Sequence, residues 1–587
     1  MQNPKRIYHI LIMTVIGLGI LVGRLAQIQL FDTLSFSSHE VNLIEESVEQ
    51  RVHSIAIDDG RGKLFDRYGE LLHELHQPSV ILFPFLYNDN QNLHKLSQVL
   101  GISSEEIKSK LKNRSKPLVV DSANITPEKV DEINDMGIPG AYGQLVTQNQ
   151  PSDFAAHFIG AVRENPEMVL ERYPERIGKG LLSNQTKIGV LGIQKAFDPF
   201  LVSEGGSELI YHVQQSGRPL FGLDVKYTAP SNPFYPIALT TTLDQNKQRI
   251  LERAINKSGI KDGGAVLLDV ETSDVLAMVS RPLFPESDPL KKGTGNQMLA
   301  PQTPGSVFKI LTAAAAIEQN FQLADRQFNC NQNVYKDGEA SRKLGLLSFE
   351  ESFYQSCNVT FATLLNELIK EDQDALEDVG GKLGITQISG WTGSVFHYDQ
   401  FQHFPGEKKN IMWKGNGDKQ VTKAVAQTAI GQLNVRLSPL SIANMMATIA
   451  RGGEKKQVRA ALSVQYKNGA TLVEFEEQNI DGSTLSPYTI QRLQSLLEGV
   501  VKEPKGTGHQ AFSKLPVEVA GKSGTAEKGE TTVNNKWFAG YFPADHPKYA
   551  LVVVDLNSKS QQSKTNRAFA EIVNELYEYD KQSSNDQ

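Results

Sequence analysis

The chain has 587 residues, 22% of them charged, and a formal net charge of −7. That length holds two or three domains with sizeable cores, and the acidic balance leaves no basic footprint for nucleic acid. Its two cysteines, Cys330 and Cys357, are too few for a disulfide-rich scaffold; pairing is open, and independent thiols are the favoured reading.

At the N-terminus, Lys5 and Arg6 precede an uncharged, mostly apolar run from Ile7 to Gly23. Its length is near the lower limit for a bilayer span. The basic pair predicts a cytoplasmic N-terminus and an outward-facing body. No small-x-small cleavage site follows, so a retained single anchor is favoured over a cleaved signal peptide. Next, Arg67-Tyr68-Gly69 reads as a hairpin turn between short strands. Leu93–Asn113 and Thr126–Met136 read as short helices in a polar setting. Ala229-Pro-Ser-Asn-Pro233 is a composition break and reads as a linker.

Beyond the linker, Val266–Val270, Val275–Ser280, Val517–Lys522, Trp537–Tyr541 and Tyr549–Asp555 read as strands. A short connection makes the first two antiparallel. Helical stretches before and after them predict an α+β domain with helices covering the sheet. A last helix, Asn566–Tyr579, precedes a short polar end with no room for an added C-terminal binding domain. The twelve histidines are scattered without metal spacing, and His53, His73 and His397 read as surface residues.

Three short pieces carry chemistry. Pro304-Gly305 precedes Ser306, and a run rich in helix formers follows, so Ser306 is predicted at the first turn of a buried helix. Lys309, three residues on, shares its face. The helix N-terminus favours nearby negative charge, and burial there pushes the Lys309 ammonium toward a neutral base. A hydroxyl beside such a base is an activated nucleophile. Two other Ser-x-x-Lys matches, Ser109–Lys112 and Ser258–Lys261, open no apolar helix and fit the chance level for a chain this long.

Ser356-Cys357-Asn358 falls in a turn between helical stretches. Ser356 is a candidate proton relay and Asn358 a candidate partner for a substrate amide. Cys357 is discounted as a rival nucleophile because no Cys-His motif accompanies it. The third piece, Lys522-Ser523-Gly524-Thr525, ends a strand-like run. Lys522 is expected to project from the strand end, Ser523 adds a hydroxyl, and Gly524 lets a substrate backbone approach closely. Thr525 offers a hydroxyl to a carboxylate, and its amide joins that of Ser306 as an oxyanion hole. Each piece alone also reads as an ordinary cap, loop or strand junction.

In order and spacing, 50 residues from Ser306 to Ser356 and 166 from Ser356 to Lys522, the pieces resemble the motifs of the penicillin-binding protein and serine β-lactamase superfamily. Thr242–Gln248, Gly264–Pro282, Ala429–Gln432 with Ser438-Pro439, and Lys536–Pro543 resemble further segments of that family. Gly60–Leu72 resembles the R-G-x-I-x-D-R-N-G signature of class B members. Gly189–Asp198 resembles their G-x-x-G-L-E signature, with Gln194 in place of the Glu. If that Glu normally pairs with the arginine matching Arg61, a neutral hydrogen bond can replace the charge pair here.

The resemblance implies an α+β protein: a tail (1–6), a single transmembrane helix (7–27), an elongated, strand-rich pedestal domain (38–228) with an insertion near 80–150, and a transpeptidase domain (234–582) whose antiparallel sheet is flanked by helices. It implies a peptidoglycan D,D-transpeptidase acylated by β-lactams, in the bacterial cell membrane with its catalytic domain outside. Ser306 would attack the penultimate D-Ala carbonyl and Lys309 take the serine proton. Ser356, with Lys522 nearby, would protonate the leaving D-Ala. Asn358, Ser523, Gly524 and Thr525 would hold the substrate. No cofactor or metal is expected. The implied partners are stem peptides, the membrane and a multi-spanning glycan polymerase. The rivals are a D,D-carboxypeptidase or β-lactamase, for which no water-activating base is recognisable, and a non-catalytic scaffold or β-lactam sensor, against which the intact motifs stand. A bifunctional class A protein is disfavoured because no glycosyltransferase domain fits before the pedestal.

Overall fold

The structure, a computed structural model, describes residues 4–27, 52–58, 60–72, 74–112, 117–121, 125–149, 153–203, 205–212, 226–228, 234–285, 287–527, 533–560 and 562–585. The expected linker Ala229–Pro233, His73 and the side chain of His53 lie outside the described residues, whereas His397 is exposed. The first helix runs Pro4–Ala26. Its segment Tyr8–Ala26 has 19 residues, a mean hydropathy of 2.0 and no buried residue. It is long and apolar enough to cross a bilayer, and a helix satisfies its own backbone there.

The chain divides into two compact units, 1–60 with 75–148 and 204–232, and 61–74 with 149–203 and 233–587. The first holds two three-stranded sheets, ordered Leu118–Asp121, Glu74–Leu82, Ala141–Asn149 and Val52–Asp58, Ser207–His212, Lys226–Thr228. The helix expected over 93–113 is two helices, Asn90–Leu100 and Ser104–Leu111. Gly101 ends the first in the left-handed region (φ 70°), and the Ser103 side chain caps the second. With Pro127–Asp135 they set Leu93, Leu96, Ile107 and Ile133 against Val80 and Leu82.

The second unit is built on a five-stranded antiparallel sheet. Its strands are β1 (Gly263–Asp269), β2 (Val275–Arg281), β3 (Ala520–Glu527), β4 (Asn534–Phe542) and β5 (Tyr549–Ser558), ordered β2-β1-β5-β4-β3. Alternation along β1 divides the core. Ala265 and Leu267 join the cluster with Leu251 and Ile255 of α1 (Gln245–Ser258) and Phe569 and Ile572 of α7 (Lys564–Asn585), while Val266 and Leu268 join the larger cluster on the other face. That larger cluster contains α2 (Lys309–Glu318), whose residues from Lys309 to Ile317 are all buried, as a helix apolar all round requires.

The same cluster takes in α3 (Phe349–Tyr354), α4 (Asn358–Glu371), α5 (Pro439–Ala450) and α6 (Pro487–Lys502), of which α4 and α6 pack on α2. The expected strand Val517–Lys522 is displaced: β3 starts at Ala520 and carries Lys522 to Thr525 in its middle rather than at its end. Eight consecutive residues pair with β4, from Ala520↔Tyr541 to Glu527↔Asn534. That ladder overrides the weak strand preference of Gly, Lys and Ser.

Segments 61–74 and 149–203, placed in the pedestal on sequence, group with the catalytic body. Lys63–Phe65 pairs in parallel with Ala238–Thr240. The turn at Arg67–Gly69 is present, but Phe65 meets only Leu71 across it as an isolated bridge. Buried Arg61 donates through Nε to Gln194 Oε1 at 2.7 Å, the neutral bond expected from the Glu-to-Gln departure. It also forms an ion pair of 2.7 Å with buried Asp198. The charge partner is therefore kept, four residues further along, as a buried guanidinium requires.

Candidate active site

Gly305–Phe308 forms a single 3₁₀ turn that leads into α2, so Ser306 stands one turn ahead of the α-helix proper. Ser306 is half-buried and lines a cleft of about 390 Å³ with Arg342, Ser356, Asn358, Thr507, Ser523, Gly524 and Thr525. Two glycines set this turn against the free edge of β3. A Cβ on Gly305 (φ 56°) would lie 2.3 Å from the Thr525 carbonyl oxygen, and one on Gly524 would lie 2.6 Å from the Pro304 carbonyl oxygen. Gly524 thus makes room for the nucleophile's own backbone, a tighter demand than the substrate approach expected from sequence. Trp537 on β4 donates from Nε1 to the Thr303 carbonyl at 3.0 Å, fixing the segment just before the turn.

Ser356 sits where α3 ends and α4 begins. It has φ 58°, and the amides of Ser356 and Cys357 donate to the carbonyls of Phe353 (3.2 Å) and Ser352 (2.8 Å). This is a Schellman ending with Ser356 in the left-handed position that glycine usually fills. The favoured reading of independent thiols is corrected here: Cys330 and Cys357 form a disulfide, their Cα atoms 5.9 Å apart. Both are buried, and the turn that holds Ser356 brings Cys357 to face Cys330 beside Thr360 and Ser352. The bond also removes Cys357 from the candidate nucleophiles.

Lys309 is fully buried, and its Nζ lies 3.0 Å from the Ser356 carbonyl oxygen, 3.1 Å from Ser356 Oγ and 2.7 Å from Asn358 Oδ1. Ser306 Oγ has no hydrogen-bond partner among the described residues, so Lys309 meets the second motif rather than the nucleophile directly. Burial pushes the Lys309 amine well below its usual value, and the charges of Lys522 and Arg342 push it further. The contacts suit a neutral amine. A carbonyl and an amide oxygen only accept, so they take its two N–H groups. Its lone pair is left for Ser356 Oγ, a hydroxyl able to donate. Catalytic hydrogen bonds are often incomplete without substrate.

Lys522 is also fully buried, and desolvation followed by the Arg342 charge lowers it to about 7. It donates to the Ser523 carbonyl at 3.3 Å, and its Nζ lies 5.6 Å from the centre of the Phe353 ring. Ser523 Oγ donates to Thr507 Oγ1 at 2.9 Å, and Thr525 is exposed on the cleft. The eight sequence-predicted residues are therefore brought together around Ser306, six lining the cleft and the two lysines buried beside it.

Arg342 and Thr507 also line the cleft. Arg342 donates to the carbonyls of Gln355 (3.1 Å) and Ser356 (3.3 Å). Nothing in their local sequence, a polar loop and a Gly-Thr-Gly turn, marks either residue. No group of His, Cys, Asp and Glu able to hold a metal ion occurs among the described residues. The cleft presents amines, hydroxyls, an amide and a guanidinium. It can bind a carboxylate and activate a serine against a carbonyl.

Residues 263–578 match the penicillin binding protein transpeptidase domain, and residues 56–232 the penicillin-binding protein dimerisation domain. Stage V sporulation protein D of Bacillus subtilis is 26% identical, over 94% of this chain and 82% of the relative. Peptidoglycan D,D-transpeptidase MrdA of Haemophilus influenzae is 24% identical over 91% and 86%, and peptidoglycan D,D-transpeptidase FtsI of Escherichia coli 23% over 92% and 85%. A solved chain described under "Structural coordination of polymerization and crosslinking by a peptidoglycan synthase complex" shares the fold. Its TM-score is 0.64 at 22% identity, over 97% of this chain and 98% of that one.

Proposed function

The chain belongs to the penicillin-binding protein transpeptidase family, and from that premise we propose that it is a membrane-anchored, class B peptidoglycan D,D-transpeptidase whose nucleophile is Ser306. The observation that carries the site assignment is the buried Lys309 amine held on Ser356 and Asn358 beside the only Ser-x-x-Lys serine that opens onto the cleft. Ser306 Oγ attacks the penultimate D-Ala carbonyl, and its proton passes to the neutral Lys309 amine, directly or through Ser356 Oγ. The oxyanion forms where the Ser306 turn meets the edge of β3. The C–N bond to the terminal D-Ala breaks, and that amine leaves carrying a proton returned through Ser356. The amine of a second stem peptide then attacks the ester, forms the cross-linking amide and frees Ser306.

Ser523 and Thr525, with Thr507 behind Ser523, hold the terminal carboxylate at the Lys522 end of the cleft. The Lys5-Arg6 pair before the apolar helix supports an inside N-terminus and an extracytoplasmic catalytic body. The synthase complex with the same fold supports a glycan polymerase as partner.

The test separates a transpeptidase from a hydrolase. Both form the same acyl-enzyme, and they differ in how fast water destroys it. The expected result is a penicilloyl ester on Ser306, mapped by mass spectrometry, that lasts many minutes. With lipid-linked substrate, a partner polymerase and a suitable acceptor, cross-linked product should form. Rapid penicillin turnover, or trimmed stem peptides alone despite abundant acceptor, would assign the chain to the hydrolases, and an adduct on Ser258 or Ser109 would move the site.

A further inference from the structure

The cleft at Ser306 does not end at Asn358. A second chamber of about 660 Å³ shares Asn358, Gln432 and Glu527 with it and adds Gln427 and Arg436. Two opposite charges line this chamber without meeting. Arg436 spends one terminal nitrogen on the carbonyls of Leu433 (2.9 Å) and Val435 (2.7 Å), which fixes the guanidinium. Its other nitrogens donate to nothing among the described residues, and partial burial lowers its pKa, the mark of a cation short of a counter-ion. The Glu527 carboxylate, exposed at the end of β3, likewise has no hydrogen bond or ion pair among the described residues.

Direction along β3 says what would reach them. On the function proposed above, on which this inference rests, the donor's terminal carboxylate is held beside Ser523 and Thr507, and its body lies along the free edge of β3. From Ser523 to Glu527 an extended strand advances about 13 Å, at about 3.3 Å per residue. The residue that precedes the two D-alanines begins roughly 10 Å from that carboxylate by the same rise. Its side chain therefore comes level with Glu527 and the second chamber. The acceptor amine must approach where the terminal D-Ala leaves, at the opposite end, so it does not compete for this space.

We infer that the second chamber reads the side chain of the donor's third stem residue, and that it is built for one ending in an amino-acid head: Arg436 takes the head carboxylate and Glu527 the head ammonium. A diamino-dicarboxylic side chain satisfies both charges. A lysine side chain satisfies Glu527 alone and leaves Arg436 unpaired, which weakens it through lost charge-assisted hydrogen bonds.

The experiment compares two synthetic donors, X-D-alanyl thioesters of thioglycolate with X either meso-diaminopimelate or lysine, on the full chain in detergent, reading kcat/KM from thiol release. Wild type should prefer the diaminopimelyl donor by about tenfold or more. Arg436→Gln should bring the ratio to about one by lowering only the diaminopimelyl value. Glu527→Gln should lower both donors and hold the ratio, because both carry the ammonium. If Arg436→Gln melts early, Arg436→Lys, which keeps charge without the fork, should give an intermediate ratio. A wild-type ratio near one, an unchanged ratio in every folded Arg436 variant, or no effect of Glu527→Gln overturns the inference. If Ser306 is labelled by penicillin but the ratio is one, this inference alone falls; if Ser306 is not labelled and neither donor reacts, the transpeptidase reading falls with it.

Discussion

Ser356 is held in a conformation that glycine would adopt more easily, and the cost can be separated from the benefit. Its φ of 58° lies in the left-handed region, which costs an L-residue about 1–2 kcal/mol. Its hydroxyl stands 3.1 Å from Lys309 Nζ. Ser356→Gly and Ser356→Ala both delete the hydroxyl and differ only in the Cβ. Relief of the left-handed strain favours the glycine variant, and the greater freedom of glycine in the unfolded chain gives back about 0.4–1 kcal/mol. Ser356→Gly should therefore be more stable than Ser356→Ala by about 1 kcal/mol, a difference on the order of 2 °C in melting temperature for a body of this size. Acylation by a fluorescent penicillin should fall in both variants alike, by about 100-fold, as expected when a proton-transfer group is lost. An alanine variant as stable as the glycine variant would show that the turn is not strained. Near-normal acylation in either would remove Ser356 from the relay.

Three further outcomes follow from the same geometry. Lys309→Arg keeps a charge but cannot supply a neutral base; acylation should drop by at least about 100-fold, and near-normal labelling would show that another group takes the serine proton. Lys522, at about 7 in the fold against 10.5 free, sheds its proton earlier when folded. Its contribution to stability is thus full above pH 10.5 and is lost as pH falls toward 7, at up to about 1.4 kcal/mol per pH unit. Denaturant melts at pH 7.5 and 9.5 should show this slope flattened in Lys522→Met, and an unchanged slope would sink the assignment. Ser523→Thr should preserve labelling while Ser523→Ala weakens it, since the position needs a hydroxyl to meet Thr507 and a carboxylate; equal labelling would move that role to Thr525.

What could be read from the sequence was local. The burial of Lys309 was legible because α2 is apolar on every side, so a lysine in its first turn has no wet face. The β1–β2 hairpin and the short helices near 90–135 were legible from period and caps, although Gly101 and Ser103 split one helix in a way that periodicity alone smooths over. The Glu-to-Gln departure at 194 points to a neutral bond with Arg61, but nothing in the segment that carries Gln194 marks Asp198 as the charge partner. What was not legible depends on distant backbone. Gly524 faces the Pro304 carbonyl 220 positions away, and no strand propensity announces that neighbour. Arg342 reaches Ser356 from a loop without periodicity. The disulfide depends on the same fold, because only the left-handed turn at Ser356 brings Cys357 opposite Cys330.

Among the described residues the resting site holds no counter-ion for its cations, and that shapes its proton inventory. Lys309, Lys522 and Arg342 converge on one cleft, and the only carboxylate lining it among the described residues, Glu527, stands at the far end and pairs with none of them. Guanidinium stays charged at any ordinary pH, so Arg342 and burial together hold both amines toward neutrality. A ligand carboxylate seated beside Ser523 supplies the missing charge. An opposite charge within about 4–6 Å raises an amine, so Lys522, already near neutrality, is the group that should regain its proton, whereas Lys309, pinned between the Ser356 carbonyl and Asn358, should stay neutral and ready to accept from serine. Binding a carboxylate would then charge one lysine without disabling the other. The check is calorimetry of a non-acylating D-alanyl-D-alanine peptide at pH 8 in buffers of different ionisation enthalpy. Uptake of close to one proton per site is expected in wild type and its loss in Lys522→Met. No proton uptake in wild type, or the same uptake in both proteins, would show that Lys522 does not answer the substrate's charge.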